Sequence, residues 1–416
     1  NREGIRCQPG WRLRADVEEL LKAHAGIERE VYLDSENSSR VPDEIVRAML
    51  PYFNESSYGN PTITHKPGWE AYEAIMDSAE GIARSIGASP EEITFTPGET
   101  EANNLALMGS LAKKGGGKII VSEIEPLSVL HVCQMLERRG FKLVKIPVDG
   151  EGFIDLERLK EEADGETVLV SLTSVSNEIG TIEPIREAID IVKDRGPGAL
   201  FHTDASDAYG RIPFDVGELG VDMATLSSYK ISGPRGIGAL YVREGIEVER
   251  ILEGQIGTQR LWPGVENTPL IVGFAAASRR AFDGFEANVS YMRRLRDRLI
   301  DGILSGVEDT KLNGPRGDKR APDNVNISFL RCEGEALTIE LSLRGIYVSS
   351  GSACTRRMLQ PSHVLTAIGR RFEEAHGSIL MKVTRQHTDE DIDYVLREIP
   401  KAVGRLRAIY GSMGGG

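Results

Sequence analysis

Along residues 93–242 the chain keeps a steady beat of short apolar runs and longer amphipathic stretches. The runs fall at 93–95, 118–121, 142–146, 168–174, 199–204, 223–227 and 239–242. Each has the length of a strand, and most are too apolar for a strand with one wet face. Helical spacing fills the intervals, for instance at 101–111, 127–138, 156–162 and 185–194. Regular alternation of this kind predicts an α/β fold, a mainly parallel seven-stranded sheet with helices on both faces. Upstream, 41–50 reads as a helix with Pro42 in its first turn and Pro51 just past its end, and 69–86 as a longer one.

Past residue 273 the beat slackens. A charge-rich helix at 286–304 precedes strands at 324–329, 345–349 and 379–384, with helices at 335–343 and 389–410. The predicted organisation is therefore a large domain over 31–273 and a smaller α+β domain over 274–416. Residues 1–30, with an amphipathic helix at 14–25, are expected to pack on the small domain.

Composition narrows the field of functions. A net charge of −13 argues against nonspecific nucleic-acid binding, which rests on basic side chains neutralising phosphates. No apolar run approaches the roughly 18 residues of a membrane span, and the charged start lacks the apolar centre of a secretion signal. Cys7, Cys133, Cys332 and Cys354 form no CxxC pair, so neither a metal site nor a disulfide framework is expected. A reducing, cytoplasmic compartment is the simplest reading.

In a sheet of this kind ligands bind beyond the carboxyl ends of the strands, so those ends are where chemistry is sought. The run 93–95 exits into Pro97-Gly98-Glu99-Thr100 and a helix, which makes either an anion site with Thr100 as a donor or a plain turn. The run 168–174 exits into Ser176-Asn177-Glu178-Ile179-Gly180. The run 199–204 ends in Asp204, which needs a capped helix or a cationic ligand as partner. The run 223–227 ends in Ser227 and leads to Lys230 in a glycine-rich loop. A lysine there is either a solvated loop residue or a partly desolvated amine able to react with a carbonyl. Taken together, these ends supply an anion cradle, an acid, an amide and an amine, the set that pyridoxal phosphate requires.

Several segments then carry a resemblance to a known family. They are GNPTITH from Gly59, FTPGETEANNLAL from Phe95, SNEIGTIEPI from Ser176, FHTDA from Phe201 and SSYKISGPRGIGALYVR from Ser227. NVNISF, EGEAL and SSGSACTRRMLQPSHVL from Ser349 complete the set. In order and spacing the chain, over about 31–406, resembles the cysteine desulfurases of the NifS/IscS type. These belong to the class V aminotransferases and have the PLP-dependent transferase fold type I. The resemblance implies Lys230 as the Schiff-base lysine and Asp204 as partner of the pyridine nitrogen. It implies Thr100, the backbone around Glu99, and Ser227 as phosphate holders, with Asn177 near the phenolic oxygen. Cys354 matches the nucleophile, on a mobile loop, that takes sulfur from L-cysteine as a persulfide while alanine forms. A homodimer and a sulfur-acceptor protein, such as an iron–sulfur scaffold or a thiolation enzyme, are implied partners.

Departures from the family pattern cluster at the same site. Pro126 stands where a histidine stacks on the cofactor ring; it can pack on a ring face but cannot transfer a proton. Asp207 replaces a glutamine near the phenolic oxygen, which it would repel unless protonated or turned away. Tyr229 replaces the histidine before the lysine and would take over as a phosphate donor. Leu380 stands where an arginine grips the substrate carboxylate, with Arg385 further along the strand, and Val265 replaces a threonine shared between subunits. The DNAAT-like motif reads Asp34-Ser35-Glu36-Asn37-Ser38. Three readings stay open: a desulfurase with a rebuilt substrate site, a pyridoxal phosphate enzyme acting on another sulfur or amino-acid compound, or a non-catalytic scaffold.

Overall fold

The computed structural model describes residues 27, 29–350 and 361–413, with side chains up to residue 409. After the two-residue strand β1 (Val31–Tyr32) come the seven strands of the main sheet. They are β2 (Ile93–Thr96), β3 (Lys118–Ser122), β4 (Lys142–Ile146), β5 (Thr167–Ser171), β6 (Leu200–Asp204), β7 (Met223–Ser227) and β8 (Gly238–Val242). Their order across the sheet is β2-β8-β7-β6-β5-β3-β4, and only β8 runs against the others. All seven expected runs are strands of this sheet, and the α/β, mainly parallel architecture is as the alternation predicts. Every residue of β2, β3 and β7 is buried, which is why these segments read as continuous apolar runs.

Helices cover both faces. The helix Lys66–Arg84 starts with His65, whose ring accepts the Gly68 amide at 3.0 Å, and buries Ala71, Ile75, Ala79 and Ile82 at three- and four-residue steps. A second core is built around β9 (Thr310–Leu312), β10 (Asn324–Phe329), β11 (Ile346–Tyr347), β12 (Ser349–Ser350) and β13 (Ser378–Lys382). The helices Phe285–Gly306 and Asp389–Met413 pack there through Leu295, Leu299, Ile303, Ile392 and Val395. One boundary differs from expectation. The sequence reading assigns β1 to the large domain, yet it pairs in parallel with β11, and Val31 and Leu33 are buried in the second core. Two residues carry too little pattern to show which core they join. The expected helix at 14–25 lies outside the described residues. Among those described, no helix is long and apolar enough to cross a membrane.

The two cores are joined by a backbone clamp on the loop after β5. Ala321 N–H donates to the Gly180 carbonyl at 2.7 Å, and Ile182 N–H to the Lys319 carbonyl at 3.0 Å. The amides of Asn324 and Asn326 both donate to the Glu178 carbonyl, at 3.1 and 3.0 Å. Gly180 has φ +73°, and a Cβ there would lie 2.7 Å from the Asn324 side chain, so the loop needs glycine at this point. Arg320 holds the other strand of the clamp. Its fully buried guanidinium donates to the carbonyls of Pro315 (2.6 Å) and Asn313 and to Asn324 Oδ1 (2.7 Å). Burial, with Arg296 nearby, pushes its pKa down to about 9.

Replacing Arg320 by Met would leave these buried acceptors unpaired. We expect Arg320→Met to lower unfolding free energy by about 3 kcal/mol in urea titration. Arg84→Met, which removes an exposed Arg84–Glu80 pair, should change it by less than about 0.5 kcal/mol.

Candidate active site

Because β2, β5, β6 and β7 run the same way, their carboxyl ends share one edge of the sheet. At the end of β2, Gly98 precedes the helix Glu99–Ser110, whose first amides are free to bind an anion. Gly238 on the neighbouring strand keeps this turn close, since a Cβ there would sit 2.8 Å from the Gly98 carbonyl carbon. At the end of β6, Asp204 Oδ2 accepts from Asn103 Nδ2 at 2.7 Å and Oδ1 from the Ser206 amide at 2.9 Å. Burial raises its pKa despite these bonds. At the end of β7, the Ser227 hydroxyl is buried and has no hydrogen-bond partner, as is also true of Ser228.

Beside these ends lies a cavity of about 290 Å³. Glu36, Glu99, Thr100, Pro126, Asn177 and Tyr229 line one part of it, and Ser349, Ser350, Ser362 and Leu380 another. Glu99 Oε1 accepts from the Tyr229 hydroxyl at 3.3 Å, while Oε2 is buried without a partner. Glu178 accepts from Ser362 at 2.6 Å, and burial lifts its pKa to about 8.

Lys230 sits in a single helical turn, Tyr229–Ile231, and is buried. Its ammonium donates to Glu36 Oε1 and, at 2.9 Å, to Asp207 Oδ2. Lys382, at the end of β13, donates to the other Asp207 oxygen at 2.8 Å and lies 3.3 Å from Glu36 Oε2. Asp323 is 3.8 Å from Lys382 and pairs with Arg211, whose guanidinium also donates to the Lys230 carbonyl. Three carboxylates and three cations thus meet in one buried cluster. Burial alone would lower the Lys230 pKa, but Asp207 and Glu36 outweigh it and hold it well above the ordinary lysine value. Burial likewise acts to raise Asp207, and the cations of Lys230, Lys382 and Arg211 overcome it and hold Asp207 far below the usual carboxylate range. Of the two ways for Asp207 to avoid repelling a phenolate, protonation is therefore not the one realised; its charge is neutralised by two lysines.

The expected site residues Lys230, Asp204, Asp207, Thr100, Glu99, Asn177, Ser227, Tyr229 and Pro126 all gather at this edge. Tyr229 directs its hydroxyl to Glu99. Arg385 does not stand in for the arginine absent at Leu380: it donates to the Arg280 carbonyl and does not line the cavity. Val265 is exposed. Cys354 lies outside the described residues, although Ser350 and Ser362, near the two ends of its segment, both line the cavity. Nothing in the spacing of the chain singles out Lys382, Arg211 or Asp323, and Glu36 stands out only as an oddity in a motif.

Comparison with known proteins gives the family. The family described as Aminotransferase class-V matches residues 31–395. "Cysteine desulfurase IscS 1" of Archaeoglobus fulgidus is 42% identical over 91% of this chain and 98% of its own length. Among solved structures, a "NIFS-LIKE PROTEIN" superposes with a TM-score of 0.85 at 33% identity, covering 91% of this chain and all of that one. "SspA in complex with cysteine" gives 0.75 at 31% identity over 86% of this chain and 100% of its own. The chain belongs to the class-V aminotransferase family.

Proposed function

We propose that the chain is a cysteine desulfurase that holds pyridoxal phosphate at Lys230 and passes sulfur from L-cysteine to Cys354. One observation carries this reading. The cavity beside Lys230 is walled on one part by Glu36 and Tyr229 and on another by Ser349, Ser350 and Ser362. Cys354 follows Ser350 by four residues, a reach of at most roughly 14 Å. The cavity wall thus includes Glu36, which Lys230 contacts, and the chain ends that lead into the segment carrying Cys354, and this supports an amine and a thiol working at one site. Relatives named as desulfurases and a neighbour solved with cysteine support the same chemistry.

The residues fit the cofactor on most sides. A helix N-terminus with Thr100 and the unpartnered Ser227 hydroxyl suits a phosphate. Asp204, fixed by Asn103, suits a protonated ring nitrogen, and Pro126 offers an apolar face. Glu99, a carboxyl group at the start of the phosphate-binding helix, opposes it. When bound, the cofactor would supply an electron sink for the carbon that carries the amino group. Lys230 is the base for the proton on that carbon. Lys382 shares both carboxylates with Lys230, so Asp207 and Glu36 remain paired when the Lys230 amine is neutral.

An apolar set on one stretch of chain, Leu50, Phe53, Tyr58 and Trp69, is exposed and suits a second copy, so the working unit is a homodimer. The sulfur acceptor is a separate protein, and the cytoplasm is the compartment that fits a free thiol at Cys354. One observation favours a second substrate class: the described lining of the cavity holds no lysine or arginine, and Leu380 is apolar. A sulfur compound without a free carboxylate would suit that wall.

The purified chain should be yellow, and Lys230→Ala should abolish the visible absorbance. Cysteine should yield alanine and a persulfide mass on Cys354, both lost in Cys354→Ala. A spectrum that responds to cysteine without alanine release, alongside turnover of another compound in a panel of sulfur substrates, would select the second class instead. Lys382→Met strips a cation from the cluster, so the Lys230 amine holds its proton to higher pH. The rise of activity with pH should shift alkaline by about one unit or more. Combining it with Asp207→Gln removes one charge of each sign and should return the profile toward that of the original chain.

A further inference from the structure

A phosphate cradle is made of donors, yet the first residue of this helix brings a carboxyl group into it. Glu99 is half-buried and lines the cavity with Thr100, Ser128 and Tyr229, its Oε2 shielded from solvent. One of its oxygens takes only the 3.3 Å bond from Tyr229, and the other takes none. The charged and titratable groups around it come from three directions. Tyr229 and Lys230 belong to the turn after β7, Asp204 and Asp207 to the end of β6, and Glu36 to the segment after β1. Besides the long Tyr229 bond, only Lys230 among these favours a negative Glu99, and Lys230 is already committed to Glu36 and Asp207.

A phosphate monoester has a second pKa of about 6 and so carries nearly two negative charges at neutral pH. Placed beside an ionised Glu99 it would meet a like charge next to a carboxyl oxygen shielded from solvent. With a proton, the same side chain turns from acceptor to donor and joins Thr100, Ser227 and the helix amides in holding the phosphate. We propose that Glu99 determines specificity for the anionic tail of the ligand: a phosphate monoester enters this cradle together with one proton on Glu99. Burial, reinforced by Asp204, Asp207 and Glu36 against the pull of Lys230, already lifts the Glu99 pKa to about 7, so the proton is at hand under ordinary conditions. The inference rests on the pyridoxal phosphate reading and adds to it a residue that the family resemblance assigns only by its backbone.

The test is a binding titration of the full chain, freed of cofactor, with pyridoxal phosphate and with pyridoxal, followed by visible absorbance and by tryptophan fluorescence. Against Glu99→Gln, the original chain should lose pyridoxal phosphate affinity by up to about tenfold per pH unit above about pH 7, the slope of one linked proton. Pyridoxal, which lacks the phosphate, should show no such difference. Glu99→Ala, which leaves no amide in the cradle, should behave as Glu99→Gln does in its pH slope. The same slope in all three proteins, or the same difference with pyridoxal, would overturn the role of Glu99 while leaving the cofactor reading intact. No uptake of pyridoxal phosphate by any of the three at any pH would overturn both. Uptake by the variants alone, with none by the original chain at any pH, would overturn entry with a protonated Glu99.

Discussion

A charged lysine in a dry interior requires carboxylates, and here one buried cluster supplies them from five separate segments. Glu36 follows β1, Asp207 and Arg211 follow β6, Lys230 follows β7, Asp323 precedes β10, and Lys382 ends β13. β1, β10 and β13 belong to the second core, and β6 and β7 to the main sheet. The reactive amine is therefore positioned only when both cores are formed and joined. An ion cluster of this kind adds little net stability, because desolvation offsets the attraction. Its effect is on placement and on the charge state of Lys230.

The cluster also gives meaning to departures that look like separate losses in the sequence. Asp207 and Glu36 each bring a negative charge beside Lys230, and Lys382 brings a positive one to the same two carboxylates. Leu380 and Lys382 are two residues apart on β13 and so share a face of that strand. This face therefore puts an apolar side chain on the cavity wall and its cation in the cluster, where it is fully engaged. Charge around Lys230 is balanced, three cations against three carboxylates, while the described lining of the cavity holds no cation.

Much of the fold and part of the site are legible in the sequence because they obey local rules. Parallel strands buried on both faces announce themselves as apolar runs, and the strand-end rule then points to Asp204, Asn177, Ser227, Lys230 and the turn before Thr100. The cluster partners obey no such rule. Glu36 meets Lys230 across 194 residues, and Lys382 meets Asp207 across 175. Lys382 ends an apolar strand and reads as a lysine that has reached water, whereas it is buried. β1 escapes for the opposite reason: two residues have no period, so nothing in the sequence assigns them to the second core. Pairings set by tertiary packing leave no trace in spacing.

Tyr229 and Glu99 extend the same logic to the other end of the cavity. A phenol in place of an imidazole keeps a hydrogen-bond donor at this position but gives up a group that can carry positive charge near neutral pH. Burial raises the Tyr229 pKa further, so its proton stays on the oxygen. That proton is directed to Glu99. The pair therefore places an acid and a neutral donor where the family resemblance leads one to expect a donor able to become cationic, and the region loses potential positive charge on both counts. The helix amides and the Thr100 and Ser227 hydroxyls are left to attract an anion by dipoles alone. Dipoles do not change with pH, whereas Glu99 does, so its protonation is the one adjustable part of this anion site.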